Sequence, residues 1–538
     1  MKNKIQVIIF LSVLSSITFS QYPNFRIYPS ANGSTHQIEP TIVRHPTNPQ
    51  LLFASAFTIF QSFFSEGIYV STDGGLSWQG NDTCTGAPIS GGHRGDPGPI
   101  IDKDGRFIII HLGSFPTGVF SNTSTNLGVN WNSNVLLSSD DIDKLTAGTD
   151  DVSTSTFYGR SYGAWTRFVP PFPIVFSYTT NGGSSWSGVI QINTSFGSNR
   201  SFGPAISVGI NGNVFVCWAS TLASSPFTED CIGFAVSSNG GVNWTVQECA
   251  YDMNGIKTSQ LTPWLIRANS YPAMDVDKSG GSRNGWIYIV TSEKNLSPAG
   301  SDADIIFHRS TNGGTNWSSG VRVNQDVLNN GRLQFFPAIE VDNGGGINVI
   351  YYDSRNSIDS VDVFLSRSID GGNTWTDFRI TDHRFRPAPV GGLGGGNMGD
   401  NIGMTSTATH LIPVWMDNKT GALQIWSARI DYSSIGIKKI SSEIPATFRL
   451  HQNFPNPFNP NTKIKFDVPS NVKRKTSNVK LVVFNVQGKE VASLVNQHLI
   501  PGLYEVDWDG TNYPSGVYFY SMYINGELRD SKKMLLIK

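Results

Sequence analysis

Charge is what this sequence has least of. Its 538 residues include 40 Lys or Arg and 41 Asp or Glu, a formal net charge of −1. No basic stripe gathers, which removes the electrostatic footprint of a nucleic-acid-binding protein. Cysteine is nearly as scarce. Cys84, Cys217, Cys231 and Cys249 form no C-x-x-C and no zinc pattern with His, so no cysteine-type metal site is expected. Four is nevertheless an even number, as suits a compartment where thiols can pair. After the first twenty residues no apolar run approaches the roughly eighteen residues of a membrane-spanning helix. H-E-x-x-H and G-x-S-x-G are absent, and the helix formers Ala, Glu, Lys and Leu are thin. Gly, Asn, Ser, Thr and aromatic residues fill the space they leave, the composition of an exported all-β chain.

The amino terminus, Met1-Lys-Asn-Lys4 followed by an apolar run from Ile5 to Phe19 and then Ser20-Gln21, predicts a secretory signal peptide over residues 1–20. Beyond it one octapeptide recurs: Ser71 to Trp78 with Asp73, Thr179 to Trp186 with Asn181, Ser237 to Trp244 with Asn239, Ser310 to Trp317 with Asn312, and Ser368 to Trp375 with Asp370. A weaker copy runs from Ser124 to Trp131. Each reads as a hairpin turn. The Asp or Asn bonds nearby N–H groups, Gly takes positive φ, and Trp opens the returning strand and packs back over the turn. Repetition every fifty to seventy residues or so is the signature of four-stranded blades. Blade starts fall at Glu39-Pro40, Asp96-Pro97, Asp143-Lys144, Gly203-Pro204, Tyr271-Pro272, Phe336-Pro337 and Gly399-Asp400. That makes seven units, the last short of a fourth strand that Phe25–Tyr28 can supply. Six blades is the alternative. Cys231 and Cys249 stand almost symmetrically about the turn at Gly240, which predicts a disulfide at the base of one hairpin, with Cys217 the competing partner.

These octapeptides resemble Asp-boxes, and residues 21–431 resemble the sialidase-like propeller superfamily, whose members include sialidases, other glycoside hydrolases, glycan-binding proteins and non-catalytic proteins. The sialidase site the resemblance would imply has its first arginine in a Phe/Tyr-Arg-Ile-Pro motif opening the first blade. Phe25-Arg26-Ile27-Tyr28-Pro29 carries an extra Tyr28 and precedes that blade, so Arg26 is expected to be a strand residue. From Gln452-Asn-Phe-Pro-Asn-Pro-Phe to Lys533-Met-Leu-Leu-Ile-Lys538 the chain resembles the type A C-terminal sorting domain of the type IX secretion system. That resemblance implies a small Ig-like β-sandwich over residues 448–538 as partner of the secretion machinery and of a sortase-like peptidase, and residence at the outer-membrane surface or outside the cell. Residues 432–447, with Ser433-Ser434 and Ser441-Ser442, are expected to be linker and cleavage zone.

For function, the turns before innermost strands and after second strands of a propeller open on one face. First-turn residues Glu39, Arg94, Asp96, Asp143, Lys144 and Asp400 and second-strand ends Arg167, Glu293, Asp353, Arg355 and Asp417 are candidates for an axial funnel. From them the site is set down as Glu39, Asp96, Arg167, Glu293, Asp353, Arg355 and Asp417, a mixture suited to sugar rings and hydroxyls. The expectation is a surface propeller that binds a glycan; the alternative is an exo-acting, sialidase-type glycoside hydrolase, for which close carboxylates with one pushed toward protonation would speak. Arg94-Gly95-Asp96 is taken as a blade start, not an integrin tripeptide, and the Gly391–Gly396 run as a surface loop. No cofactor is expected. Calcium at Asp275-x-Asp277-x-Ser279-Gly280 is the alternative to a polar hairpin there, because the late bidentate Glu of a calcium loop is missing.

Overall fold

The computed structural model describes residues 22–29, 35–60, 63–84, 93–114, 117–132, 134–435, 437–441, 443–470, 477–499, 501–510 and 513–538. The expected signal peptide and Ser442 lie outside them. Seven sheets of four antiparallel strands follow one another around a ring. The innermost strands of blades 1 to 7 are His36–Arg44, His93–Ile101, Ile142–Thr149, Arg200–Val208, Ala273–Val276, Gln334–Val341 and Gly403–Ser406. Blade 7 takes its outermost strand from the other end of the propeller: Asn24, Phe25 and Arg26 pair with Ala428, Ser427 and Trp426. Arg26 is thus a strand residue, its guanidinium donating to Gln424 Oε1 at 2.8 Å. Pairing the two ends of the propeller this way completes the terminal blade and closes the ring.

The octapeptides turn as their residues dictate. In the first, Gly75 N–H donates to Ser71 Oγ, Ser77 N–H to Asp73 Oδ1, and Ser71 Oγ–H to the same carboxylate. The copy from Ser124 to Trp131, despite Leu127, makes the same bonds through Asn126 and Gly128. Trp131 packs back over its own turn as expected, its indole N–H donating to Gly128 O at 3.0 Å, but other tryptophans reach further. Trp244, Trp317 and Trp375 stand edge-on against Phe176, Phe234 and Phe307 of the preceding blade, with centroids 4.9, 5.2 and 5.2 Å apart. The reason lies in the second glycine. A Cβ on Gly241, Gly314 or Gly372 would come within 2.0–2.3 Å of those same Phe rings, so only Gly lets the turn settle onto its neighbour and deliver the Trp there. Each octapeptide is a staple between blades. Cys231 and Cys249 are joined by a disulfide across one hairpin, their Cα atoms 5.6 Å apart, while Cys84 and Cys217 are buried free thiols.

Two further four-stranded antiparallel sheets make a sandwich at the carboxyl end. Alternating side chains of Asn461–Val468 and Ser477–Phe484 turn Ile464, Phe466, Val468, Val479, Leu481 and Val483 into an apolar core shared with Tyr520 and Met522. The stretch expected as linker is not one. Tyr432–Ile435 forms a single helical turn, and Ile437–Ser441 hydrogen-bonds along the edge strand Gly502–Asp509. The physical cause is the unpaired edge that Gly502–Asp509 would otherwise present.

Candidate functional site

What aims side chains at the axis is a repeated irregularity. In blades 1, 2, 3, 4 and 6 the pairing of the innermost strand slips by an extra residue near its start, between Ile38/Thr41, Gly95/Gly98, Asp143/Leu145, Phe202/Ala205 and Phe335/Ala338. Such bulges bend a strand and re-aim the bulged residue. Glu39, Asp96, Lys144, Gly203 and Phe336 sit there with φ of 56, 52, 53, 61 and 52°. A side chain in this region is costly, on the order of 1 kcal/mol or more, and persists where surrounding structure imposes it. In blade 4 the position must be Gly, since a Cβ would stand 2.3 Å from the Tyr271 ring. Blade 7 brings its carboxylate in by another close approach: Gly399, at φ 91°, passes 3.1 Å from Glu39 Cγ at its would-be Cβ and places Asp400 beside the bulges.

The result is a cavity of about 220 Å³ on the axis, with Glu39, Asp96, Lys144 and Asp400 at its base and Phe57, Phe202 and Tyr271 on its walls. It adjoins a second cavity of about 260 Å³ that shares Lys144, Asn269, Tyr271 and Asp400 with it and runs between Pro97, Pro204, Pro272 and Pro337. Lys144 ties the base together. Its ammonium donates to Asp400 and to Asn401 Oδ1 (2.8 Å) and lies 3.8 Å from Asp96. Asp400 also accepts from Asn269 and faces Arg267 at 3.7 Å. Burial pushes Glu39 up to about 8, helped by Asp96 and opposed by Lys144. Asp96 is raised to about 6, by burial against the pull of Lys144. Asp400 goes the other way, because Lys144 and Arg267 more than offset its burial. One cavity therefore holds a carboxyl that keeps its proton at neutral pH and another that gives it up, the separation from which acid and base roles are made. Above them the mouth carries cations: Arg94, paired at 3.8 Å with exposed Asp141, half-exposed Arg267, and Lys257, which donates to Tyr271 OH at 2.9 Å.

Of the seven site residues expected from sequence, only Glu39 and Asp96 meet here. Arg167 pairs with Asp140 at 2.7 Å away from the cavity. Glu293 is buried, accepts from Thr291 Oγ1–H and is pushed up to about 7 by burial. Asp353 is wholly buried and accepts from the backbone N–H and the guanidinium of Arg355, which also grips Asp377. Asp417 accepts from Lys419 N–H and lies 2.7 Å from His383 Nε2. These are braces within or between strands, not rim charges. A carboxylate at a strand end is captured by the N–H two residues on, which turns it back into its own blade.

Lys144, Asp400, Arg94 and Asp143 were first-turn candidates and do line the cavity, whereas Arg267, Asn269 and Lys257 carried no signal in the repeat. They belong to an insertion between blades 4 and 5 that includes the hairpin Thr258–Leu261/Ile266–Ala268. Its only trace in sequence is the longer interval between the Asn239 and Asn312 octapeptides. The glycine run packs here as well, Gly396 O accepting from Arg267 N–H. The stretch considered for calcium splits its carboxylates: Asp275 accepts from Val276 and Val341 N–H, while Asp277 accepts from Ser279 within the hairpin.

Comparison with known proteins bears on the two parts unequally. Residues 452–538 match the family model of the secretion system C-terminal sorting domain, so the chain carries a type IX sorting domain and is directed to the cell surface or beyond. No helix among the described residues is long and apolar enough to cross a membrane. No curated protein matches the chain in sequence. Among solved structures, a protein of unknown function from Dyadobacter fermentans DSM 18053 is 11% identical, with 76% of this chain and 97% of that one covered and a TM-score of 0.42. A polysaccharide lyase, the PL25 ulvan lyase, bound to -[GlcA(1-4)Rha3S]-, is 12% identical over 75% and 96% with a TM-score of 0.47. The Hadza microbial sialidase Hz136 is 12% identical over 71% and 75% with a TM-score of 0.39. The seven-bladed ring of this chain rests on its own strand pairing.

Proposed function

We propose, from the premise of an exported propeller that ends in a type IX sorting domain, that the chain binds the exposed end of an extracellular glycan in its axial cavity. The supporting observation is convergence: five blades and an inserted segment bring carboxyls, amides and aromatic rings to one pocket under a cationic mouth. Carboxylates and Asn269 suit ring hydroxyls, Tyr271 and Phe202 suit the apolar face of a sugar, and Arg94, Lys257 and Arg267 suit an acidic substituent. At about 220 Å³ the cavity is smaller than the roughly 300 Å³ at which small-molecule sites usually begin. That favours a terminal sugar unit entering end-on over a chain lying across the face. Removal of the sorting domain by a sortase-like peptidase would leave the propeller surface-bound or free.

A second reading, hydrolysis of that terminal unit, is favoured by Glu39, a protonated carboxyl in the same cavity as ionised Asp400. Glu39 would serve as general acid and Asp400 as base or charge stabiliser. A glycan array and a panel of fluorogenic glycosides on the secreted chain test both readings. Binding without turnover supports the first. Turnover that fails above about pH 8 and is lost in Glu39→Gln supports the second. A chain that does neither, or an Arg267→Ala/Asn269→Ala variant that binds like wild type, refutes the axial site.

A further inference from the structure

Between blades 1 and 2 lies a second polar cluster that the axial site does not use. Glu66 projects from the third strand of blade 1, Phe63–Ser71, while His93 opens the innermost strand of blade 2 and His111 lies on its second strand, Phe107–Ser114. All three are buried, Glu66 and His111 completely. Potential ligand atoms of the three lie within 4.8 Å of one another, and His93 Nδ1 is 3.7 Å from Glu66 Oε1. The two imidazoles lie 4.2 Å apart between centroids, tilted by 32°. Among the described residues neither carboxylate oxygen of Glu66 has a hydrogen-bond partner, and neither does His93 Nδ1; Gly95 N–H faces the carboxylate without completing a bond. A carboxylate left this way costs several kcal/mol unless a positive charge answers it or it takes up a proton, the direction in which burial pushes Glu66.

The hydrogen bonds around His111 show that its imidazole does not donate to Glu66. Asn122 Nδ2 donates to Asn132 O at 3.0 Å and to Asn134 Oδ1 at 2.6 Å, which fixes the amide and turns Asn122 Oδ1 toward His111 Nε2 at 2.9 Å. Nε2 must then carry the ring hydrogen, and the lone pair falls to Nδ1, which faces the Leu112 carbonyl oxygen at 3.0 Å. Acceptor meets acceptor. A second proton on His111 would answer Leu112 O but leave Glu66 and His93 Nδ1 unanswered. One cation shared by Glu66, His93 and His111 answers all three residues.

We propose that Glu66, His93 and His111 form a binding site for a divalent transition-metal ion of the zinc class at the seam of blades 1 and 2. Two imidazoles and a carboxylate are zinc-type donors, unlike the all-oxygen sets calcium and magnesium prefer, and three protein ligands leave a fourth coordination position for water. Asn122 is the outer partner that fixes the tautomer of His111, as outer partners of metal-bound imidazoles do. The ion would pin two neighbouring blades from the ligand face, opposite the octapeptide staples.

The test uses the full exported chain, stripped with a chelator, reloaded with Zn²⁺ and dialysed. Metal analysis should return one zinc per chain, Co²⁺ should give the visible bands of nitrogen-ligated tetrahedral cobalt, and removal of zinc should lower the propeller melting temperature. His93→Ala and Glu66→Gln should weaken zinc in competition with a chromophoric chelator by more than ten-fold, and Asn122→Ala, which removes no ligand, by about ten-fold or more. Glu490→Gln, exposed on the sandwich, should leave it unchanged. A wild-type chain that retains no stoichiometric zinc and melts identically with and without chelator overturns the proposal, as does a folded His93→Ala chain that binds zinc like wild type. The wild-type measurement stands even if a variant fails to fold.

Discussion

The propeller and the sandwich solve the same problem, burying the faces of antiparallel sheets, in opposite ways. The sandwich buries Ile, Val, Leu, Phe, Tyr, Trp and Met around one centre, and the buried polar residues among its described ones are Asn453, Thr462, Ser477 and Ser521, none of them charged. Its ionic groups, such as Lys463 with Glu505 and Asp507, sit on the surface. The propeller buries Glu39, Glu66, Asp96, Lys144, Glu293, Asp353, Asp400 and Asp417. Buried charge costs folding energy wherever it is imperfectly matched, and in the propeller it gathers where blades converge. A domain that only has to be recognised as an address can keep an apolar core, whereas gripping a polar ligand, as proposed for the propeller, requires polar groups inside.

This contrast can be broken most forcefully at a staple. Trp375→Ala should cost the propeller about 3 to 5 kcal/mol and leave the sandwich transition unmoved, checked by denaturant unfolding of the whole chain. Loss of both transitions together would mean that the two cores are one cooperative unit. Next comes the brace Asp353–Arg355–Asp377: Asp353→Ala strands a largely buried guanidinium and should cost on the order of 3 kcal/mol, again in the propeller alone. An exposed rim charge would cost under about 0.5 kcal/mol, so the same unfolding curve tells brace from rim.

Acidity sharpens the comparison further. Glu39 and Glu340 are raised to about 8, Glu293 to about 7 and Asp353 to about 6, burial being the first cause in each. A carboxyl raised on folding binds its proton more tightly in the native state. Its contribution is full below the ordinary value and is lost as pH rises through the raised one. The propeller transition should therefore fall in temperature between about pH 5 and 8. The sandwich transition, with no fully buried carboxylate among its described residues, should stay nearly level, and calorimetry at the two ends of that window reads both. The smallest stability effect belongs to Arg267→Ala at the half-exposed mouth, expected within about 0.5 kcal/mol of wild type while abolishing glycan binding on an array.

How much of this was legible in the sequence follows from which features repeat. The octapeptides and X-Pro starts recur, so blade number, ring closure by Phe25 and its neighbours, and the position of Glu39 and Asp96 at the axis could be read in advance. Asp353 and Asp417 misled because their side chains are claimed by N–H groups two residues on, and such local capture looks in sequence like any exposed turn carboxylate. Arg267 and Asn269 were invisible for the opposite reason: an insertion has no counterpart in other blades, and where its hairpin lies depends on packing. The orientation of the tryptophans toward the preceding blade is likewise a contact between repeats, which no single repeat encodes.

The borrowed strand of blade 7 also sets a timetable. Asn24–Arg26 emerges among the first described residues of the chain and waits, unpaired, for Gln424–Ala428, about four hundred residues later. The bond from Tyr22 OH to Ser434 O spans a similar stretch, 412 positions, and closing distant contacts is the slow part of folding. Six blades can assemble as they are made, but the seventh is completed only when the segment leading into the sorting domain has arrived. A transporter that reads the tail thereby meets a ring whose last piece has just become available, and clipping the chain after Arg26 would unlatch that ring at a single seam.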